Sequence, residues 1–230
     1  MIGLILGGAA GRQIAWGDTS KTNIVFVGNS IVVGDGVGYN TALTWPTRLA
    51  LQAPINGAMA IPNLGHDGWD IPTLDGAGDT SARFVEGKTN IMFFYEGTNS
   101  LKGGTRSPAT TFSQLTTYIA NRRAEHDWKI ILISTIPFIE GATDAVSITQ
   151  NNNVDAFNAL MAAQYRAIGA VGYIDVRAGA PWGAMPDYTR ASFEAYCTSL
   201  FLADFTHPNV AGTQLLADLA APKLSAIRVR

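Results

Sequence analysis

A parallel α/β sheet with helices on both faces is the fold class that this sequence predicts, and three observations predict it. Continuous apolar runs, rich in β-branched and aromatic side chains, recur along the chain, as strands buried on both faces require. Helix-like segments stand between these runs, and that alternation implies parallel strands joined by right-handed crossovers. Finally, 230 residues at 47% hydrophobic content supply one domain with a sizeable core, because chains divide only beyond roughly 250–300 residues.

Met1–Ala10 (MIGLILGGAA) is apolar but has no positive charge before it. It is shorter than the ~20 residues that cross a bilayer. It reads as a leader, linker or packing arm, with residues 1–21 as an N-terminal arm and 22–230 as the domain proper. The first strand is expected at Ile24–Val27 (IVFV). A helix over Thr44–Ala53 follows, carrying Trp45, Leu49 and Leu51, with Thr44 as its cap and Pro46 in its first turn. A short strand is expected near Ala58–Asn63, ahead of a glycine-rich turn. The run Ile91–Tyr95 (IMFFY) is the third strand. Thr110–Glu125 is helical, with Phe112, Leu115, Ile119 and Ala120 on one face. Ile130–Ile133 (IILI) is the next strand, and Asn153–Ile168 a helix facing inward through Val154, Phe157, Leu160, Met161 and Tyr165. Val171–Val176 gives a weaker strand, and Arg177–Phe201 reads as an irregular insertion. Val210–Ala220 is the last helix, which Pro222 is expected to end or kink. In such a sheet, sites lie just beyond the carboxyl ends of the strands.

Composition excludes several function classes. Sixteen basic and eighteen acidic residues leave a net charge of −2, so there is neither the basic stripe of a nucleic-acid binder nor a polybasic patch for an anionic membrane. The hydrophobic content excludes intrinsic disorder. The single cysteine, Cys197, excludes an intrachain disulfide and a multi-cysteine zinc site.

Four segments fall where chemistry is expected. Ser30, in Val27-Gly28-Asn29-Ser30-Ile31, stands at the rim of the sheet and is either a nucleophile or the cap of the next turn. Asn63-Leu64-Gly65-His66-Asp67-Gly68-Trp69 offers the Gly68 backbone N–H to an oxyanion, or is a tight turn. In Glu96-Gly97-Thr98-Asn99-Ser100, the Asn99 amide is either a fixed donor to developing negative charge or part of an Asx-turn. In Asp204-Phe205-Thr206-His207-Pro208, the carboxylate can fix the imidazole tautomer and leave the other nitrogen as a general base; the alternative is a helix-entry cap. Together the four make up a complete acyl-transfer site.

In order and spacing these blocks resemble the SGNH hydrolases, the GDSL-like esterase and lipase superfamily, over about residues 22–220. Gly28-Asn29-Ser30 stands for the usual Gly-Asp-Ser, Gly68 for the second block's glycine, and Gly97-Thr98-Asn99-Ser100 for Gly-x-Asn-Asp. Asp204-Phe205-Thr206-His207 is an unaltered Asp-x-x-His. The resemblance implies a flavodoxin-like three-layer α/β/α sandwich on a mostly five-stranded parallel sheet. It implies Ser30 as nucleophile, His207 as base and Asp204 as its orienter. The oxyanion hole it implies is Ser30 N–H, Gly68 N–H and the Asn99 side chain, with no cofactor and no metal. Asn29 and Ser100 stand where the family carries aspartates; both can still hydrogen-bond, but neither bears charge.

The implied function is hydrolysis of carboxylic esters. Short acyl esters, above all acetyl esters borne on carbohydrate, are the expected substrates; a lysophospholipase or thioesterase, and a non-catalytic carbohydrate-binding module, are the alternatives. The expected partner is a small-molecule or carbohydrate ester, with no nucleic acid, no transmembrane span and an oligomeric state left open. An extracellular or cell- or virion-surface setting is expected over a cytoplasmic one. Trp69, Phe138, Trp182, Tyr188 and Phe205 fall near the rim; Trp69 and Phe205 are the candidate substrate contacts, with packing as a lid the alternative. Gly34, Gly36 and Gly38 lack the spacing of a dinucleotide loop. His66, Asp67 and Asp70 are expected in a pocket wall or at the surface rather than on a metal, and His126 in solvent.

Overall fold

The computed structural model describes residues 11–140 and 143–229. β1 (Arg12–Gln13) is followed by β2 (Thr22–Gly28), the short helix α1 (Ser30–Val33) and α2 (Trp45–Ala50). Next come β3 (Asn63–Gly65), α3 (Ile71–Ala77), β4 (Thr89–Tyr95), α4 (Thr98–Leu101) and α5 (Pro108–Glu125). β5 (Lys129–Ile133), α6 (Asp144–Gln164), β6 (Gly172–Ile174), α7 (Arg190–Cys197), α8 (Val210–Leu224) and β7 (Arg228–Val229) complete the order. Five strands form one parallel sheet in the order β3-β2-β4-β5-β6, while β1 and β7 pair antiparallel. This is the flavodoxin-like order, whose crevice opens where the direction of winding reverses, here between β2 and β4.

Alternate residues of each central strand enter opposite core layers. Ile24 and Phe26, Ile91 and Phe93, and Ile131 and Ile133 pack with α2 and α8. Val25 and Val27, Met92 and Phe94, and Ile130 and Leu132 pack with α3, α5 and α6. A strand covered on both faces must be apolar throughout, which is why these runs stand out in the sequence.

Several boundaries differ from expectation. The second sheet strand is Asn63–Gly65 rather than Ala58–Asn63; Pro62 has no N–H to donate, and its carbonyl accepts from Phe26 N at 2.9 Å just before pairing begins. α2 stops at Ala50, so Leu51 lies outside it at 67% exposure; Thr44 holds the N-cap position but makes no capping bond. α6 begins at Asp144, capped by Thr143, well before Asn153. Pro222 does not end α8, which continues to the fully buried Leu224; lacking an N–H, the proline forgoes one intrahelical bond there. The insertion Arg177–Phe201 contains α7, whose Phe193 and Cys197 are buried. Within the expected arm, Ile14 and Trp16 join the core, whereas Met1–Ala10 lies outside the described residues. Among the described residues no helix is long and apolar enough to cross a membrane.

Candidate active site

β2 ends at Gly28, where a Cβ would collide with the Tyr95 carbonyl, so only glycine allows β2 and β4 this approach. Asn29 then caps α1, its Oδ1 accepting from Ile31 N at 3.0 Å. Ser30 is therefore the first helical residue, and its own N–H has no intrahelical partner. The side chain is largely buried, with the residue 5% exposed.

His207 and Asp204 reach this serine from the loop before α8. His207 Nε2 lies 3.0 Å from Ser30 Oγ, and His207 Nδ1 lies 2.7 Å from Asp204 Oδ2. The other Asp204 oxygen accepts from Thr206 N at 2.8 Å and His207 N at 3.0 Å. Burial acts to raise the Asp204 carboxyl, but the hydrogen bonds from His207 and Thr206 outweigh it and hold the group below the usual carboxylate range. The turn is braced by the segment after β5: Ile139 N donates to Phe205 O at 3.1 Å, and Thr206 Oγ1 donates to Ile139 O at 2.6 Å. Phe205 accordingly adopts a left-handed φ of 51°. With Nδ1–H donated to Asp204, Nε2 presents a lone pair to the serine proton.

Asn99 lies in α4, directly after β4, and its Nδ2 donates to Trp69 O at 3.0 Å. That bond brings its amide to the turn containing Gly68, whose φ of 72° is the left-handed conformation glycine tolerates. An amide carries two N–H donors, so one remains. Ser30 and Asn99 share no direct hydrogen bond. They are joined through Glu96, which accepts from Asn29 Nδ2 at 3.3 Å and from Ser100 Oγ at 2.9 Å.

Glu96 and Asp35 are the site groups that the sequence reading passed over. Asp35 Oδ2 lies 3.3 Å from His207 Nε2, the same nitrogen that meets Ser30. Gly36 permits this, since a Cβ there would strike the Pro208 carbonyl. The signal for both was a carboxylate beside a glycine: Asp35 shortly after Ser30, and Glu96 at the very end of a strand.

The aromatic candidates separate. Trp69 is half-buried and stacks on His66 with centroids 3.8 Å apart. Phe205 instead packs in the core near Phe193, 6% exposed, and is no open rim contact. Phe138 and Trp182 are fully buried. Tyr188 OH donates to Asp155 Oδ2 at 2.6 Å. His66 Nε2 pairs with Asp79 Oδ2 at 2.8 Å, and Asp70 caps α3 and meets Arg106. Among the described residues no three His, Cys, Asp or Glu side chains cluster as metal ligands. His126 is not free in solvent but stacks on Phe84 at 4.4 Å. Burial pushes the Cys197 thiol up to about 12, which disfavours the thiolate a nucleophile needs.

The family model for GDSL-like lipases and acylhydrolases matches residues 26–215. None of the curated proteins compared matches the chain. Solved structures do. A lipolytic protein of the G-D-S-L family from Veillonella parvula superposes with a TM-score of 0.62 at 19% identity, covering 86% of this chain and 96% of its own. A mutant of an acetyl-xylooligosaccharide esterase from Geobacillus gives 0.63 at 17% identity, covering 94% and 99%. A carbohydrate esterase of family 3 from Talaromyces cellulolyticus gives 0.57 at 20% identity, covering 88% and 96%. At these identities the likeness is one of fold.

Proposed function

The chain belongs to the GDSL-like lipase/acylhydrolase family and is a carboxylic ester hydrolase, and on that premise we propose that Ser30 carries out the hydrolysis of short-chain acyl esters through an acyl-enzyme. The observation that carries this reading is the unbroken line Ser30 Oγ, His207 Nε2, His207 Nδ1 and Asp204 Oδ2, with separations of 3.0 and 2.7 Å.

Each atom then has a task. Ser30 Oγ attacks the ester carbonyl carbon as its proton passes to His207 Nε2. Asp204, held ionised, stabilises the imidazolium and keeps the ring in its tautomer. The tetrahedral oxyanion takes hydrogen bonds from the Ser30 and Gly68 N–H groups and from the free N–H of Asn99. The imidazolium returns its proton to the departing alkoxide, and the alcohol leaves. Water repeats the sequence on the acyl-enzyme, giving the carboxylic acid and free Ser30.

Acetyl esters on carbohydrate are the proposed substrate class. Two of the similar structures are named for acetyl-xylooligosaccharide and carbohydrate esterase activity. Trp69 supports the same reading, because its backbone carbonyl accepts from Asn99 and its half-buried ring, stacked on His66 by one face, keeps a second face on which a sugar can stack.

Intact-mass measurement after incubation with a fluorophosphonate tests the nucleophile, and an acetylated oligosaccharide tests the substrate. A single adduct on Ser30 and release of acetate are expected. An unlabelled protein that turns over no ester would refute the assignment.

A further inference from the structure

We propose that Glu96 is a positioning residue, a buried carboxylate that clamps the turn bearing Ser30 to the turn bearing Asn99. The inference deepens the esterase reading and rests on it. Gly28 and Tyr95 are the last paired residues of β2 and β4, so Asn29 and Glu96 stand next in line where the crevice opens. Glu96 is fully buried. Its Oε2 accepts from Asn29 Nδ2 at 3.3 Å and from Gly97 N. Its Oε1 accepts from Ser100 N at 2.8 Å and from Ser100 Oγ at 2.9 Å.

Both ends of this clamp reach working groups. Asn29 also fixes Ile31 N, and thereby the first turn of α1 and the direction of Ser30. Ser100 Oγ also accepts from Ile71 N at 3.2 Å, which draws the segment after Trp69 towards Asn99. Among the described residues no Lys, Arg or His lies within ion-pair distance of Glu96, so neutral donors alone surround the carboxyl. A buried carboxylate without a cation is costly, and simple packing does not require one. What it provides is acceptor capacity on two oxygens at once; a glutamine would turn an N–H₂ group towards one pair of donors. The two positions at which this chain lacks the usual aspartates, Asn29 and Ser100, are the two whose side chains donate to Glu96.

The test uses Glu96→Gln, Asn29→Asp and the double variant, in which carboxylate and amide exchange places across the same hydrogen bond. Turnover of p-nitrophenyl acetate is normalised to active sites titrated with a fluorophosphonate, and melting temperature is recorded alongside. Because small displacements of reacting groups can cost about a hundredfold, each single variant is expected to lose roughly tenfold to a hundredfold in kcat with KM little changed. Asn29→Asp loses activity although it restores the usual Gly-Asp-Ser, since it sets two carboxylates side by side. The double variant recovers most of the loss. Single variants with wild-type kcat per titrated site, or a double variant no better than the worse single, would overturn the inference, as would a loss confined to melting temperature. If Glu96→Gln does not fold, Asn29→Asp and the double variant decide alone. A wild-type protein that does not label at Ser30 brings down the esterase reading itself; labelling without this pattern brings down only the role of Glu96.

Discussion

His207 Nε2 lies 3.0 Å from Ser30 Oγ although 177 positions of chain separate the two residues. The contact joins the first turn of α1, directly after β2, to the loop before α8, so it exists only once the sheet is assembled and α8 has docked. If the pair acts as one unit, its losses do not add. Ser30→Ala is expected to lower ester turnover by roughly 10⁴-fold or more, His207→Ala by nearly as much, and the double variant by little beyond either. Steady-state kinetics on p-nitrophenyl acetate give all three values. Losses that multiply would mean that the histidine does not work through this serine.

Asn99 is held by a different loop and acts at a different moment. Removing its amide leaves ground-state binding largely intact but withdraws a donor from the charge that forms in the transition state. Asn99→Ala should lower kcat by about 10²–10³-fold with little change in KM. A change confined to KM would make Asn99 a substrate-binding residue instead.

Asp35 adds a second carboxylate to the histidine, 3.3 Å from the nitrogen that receives the serine proton. Its negative charge stabilises the positive charge that the ring gains as it takes the serine proton, and at 38% side-chain exposure that attraction is partly screened. Asp35→Asn removes it, so kcat/KM for p-nitrophenyl acetate should fall by roughly twofold to fivefold. The deficit should shrink in about 1 M salt. A kcat/KM equal to wild type at low salt would show that Asp35 has no electrostatic hold on His207.

How far the molecule could be read from its sequence depended on the kind of signal. The strands were legible because double burial makes them continuously apolar. The first turns of α6 were not, because the buried face there is polar: Asn151 Oδ1 accepts from Phe138 N at 3.0 Å, and Gln150 Nε2 donates to Phe138 O at 2.8 Å. Hydrophobic periodicity cannot register a face that is buried through hydrogen bonds. The residues Ser30, Asn99, Asp204 and His207 stood at recognisable places after strands and before a helix. Asp35 and Glu96 did not, since each gains its meaning from a partner on another element. Phe205 misled for the converse reason, as an aromatic in a rim loop whose left-handed backbone turns it into the core.

Glu96 should also leave a signature in stability. Burial pushes its carboxyl from the usual 4.5 to about 7, against the pull of Ser100 and Asn29. An acid whose native pKa lies above its unfolded one holds its proton more tightly when folded. Between about 4.5 and 7 the unfolded chain has released that proton while the native chain retains it. Stability therefore declines as pH rises through this window and levels off above it. Asp204 acts in the opposite sense, because its lowered carboxyl contributes stability that is lost only as pH falls below the carboxylate range. The two effects thus occupy different windows. The difference in melting temperature, Glu96→Gln minus wild type, should rise from pH 4.5 to pH 7 and then stay constant. Thermal melts at half-unit steps decide it: a difference independent of pH would show that Glu96 does not take up its proton across this window in the folded protein.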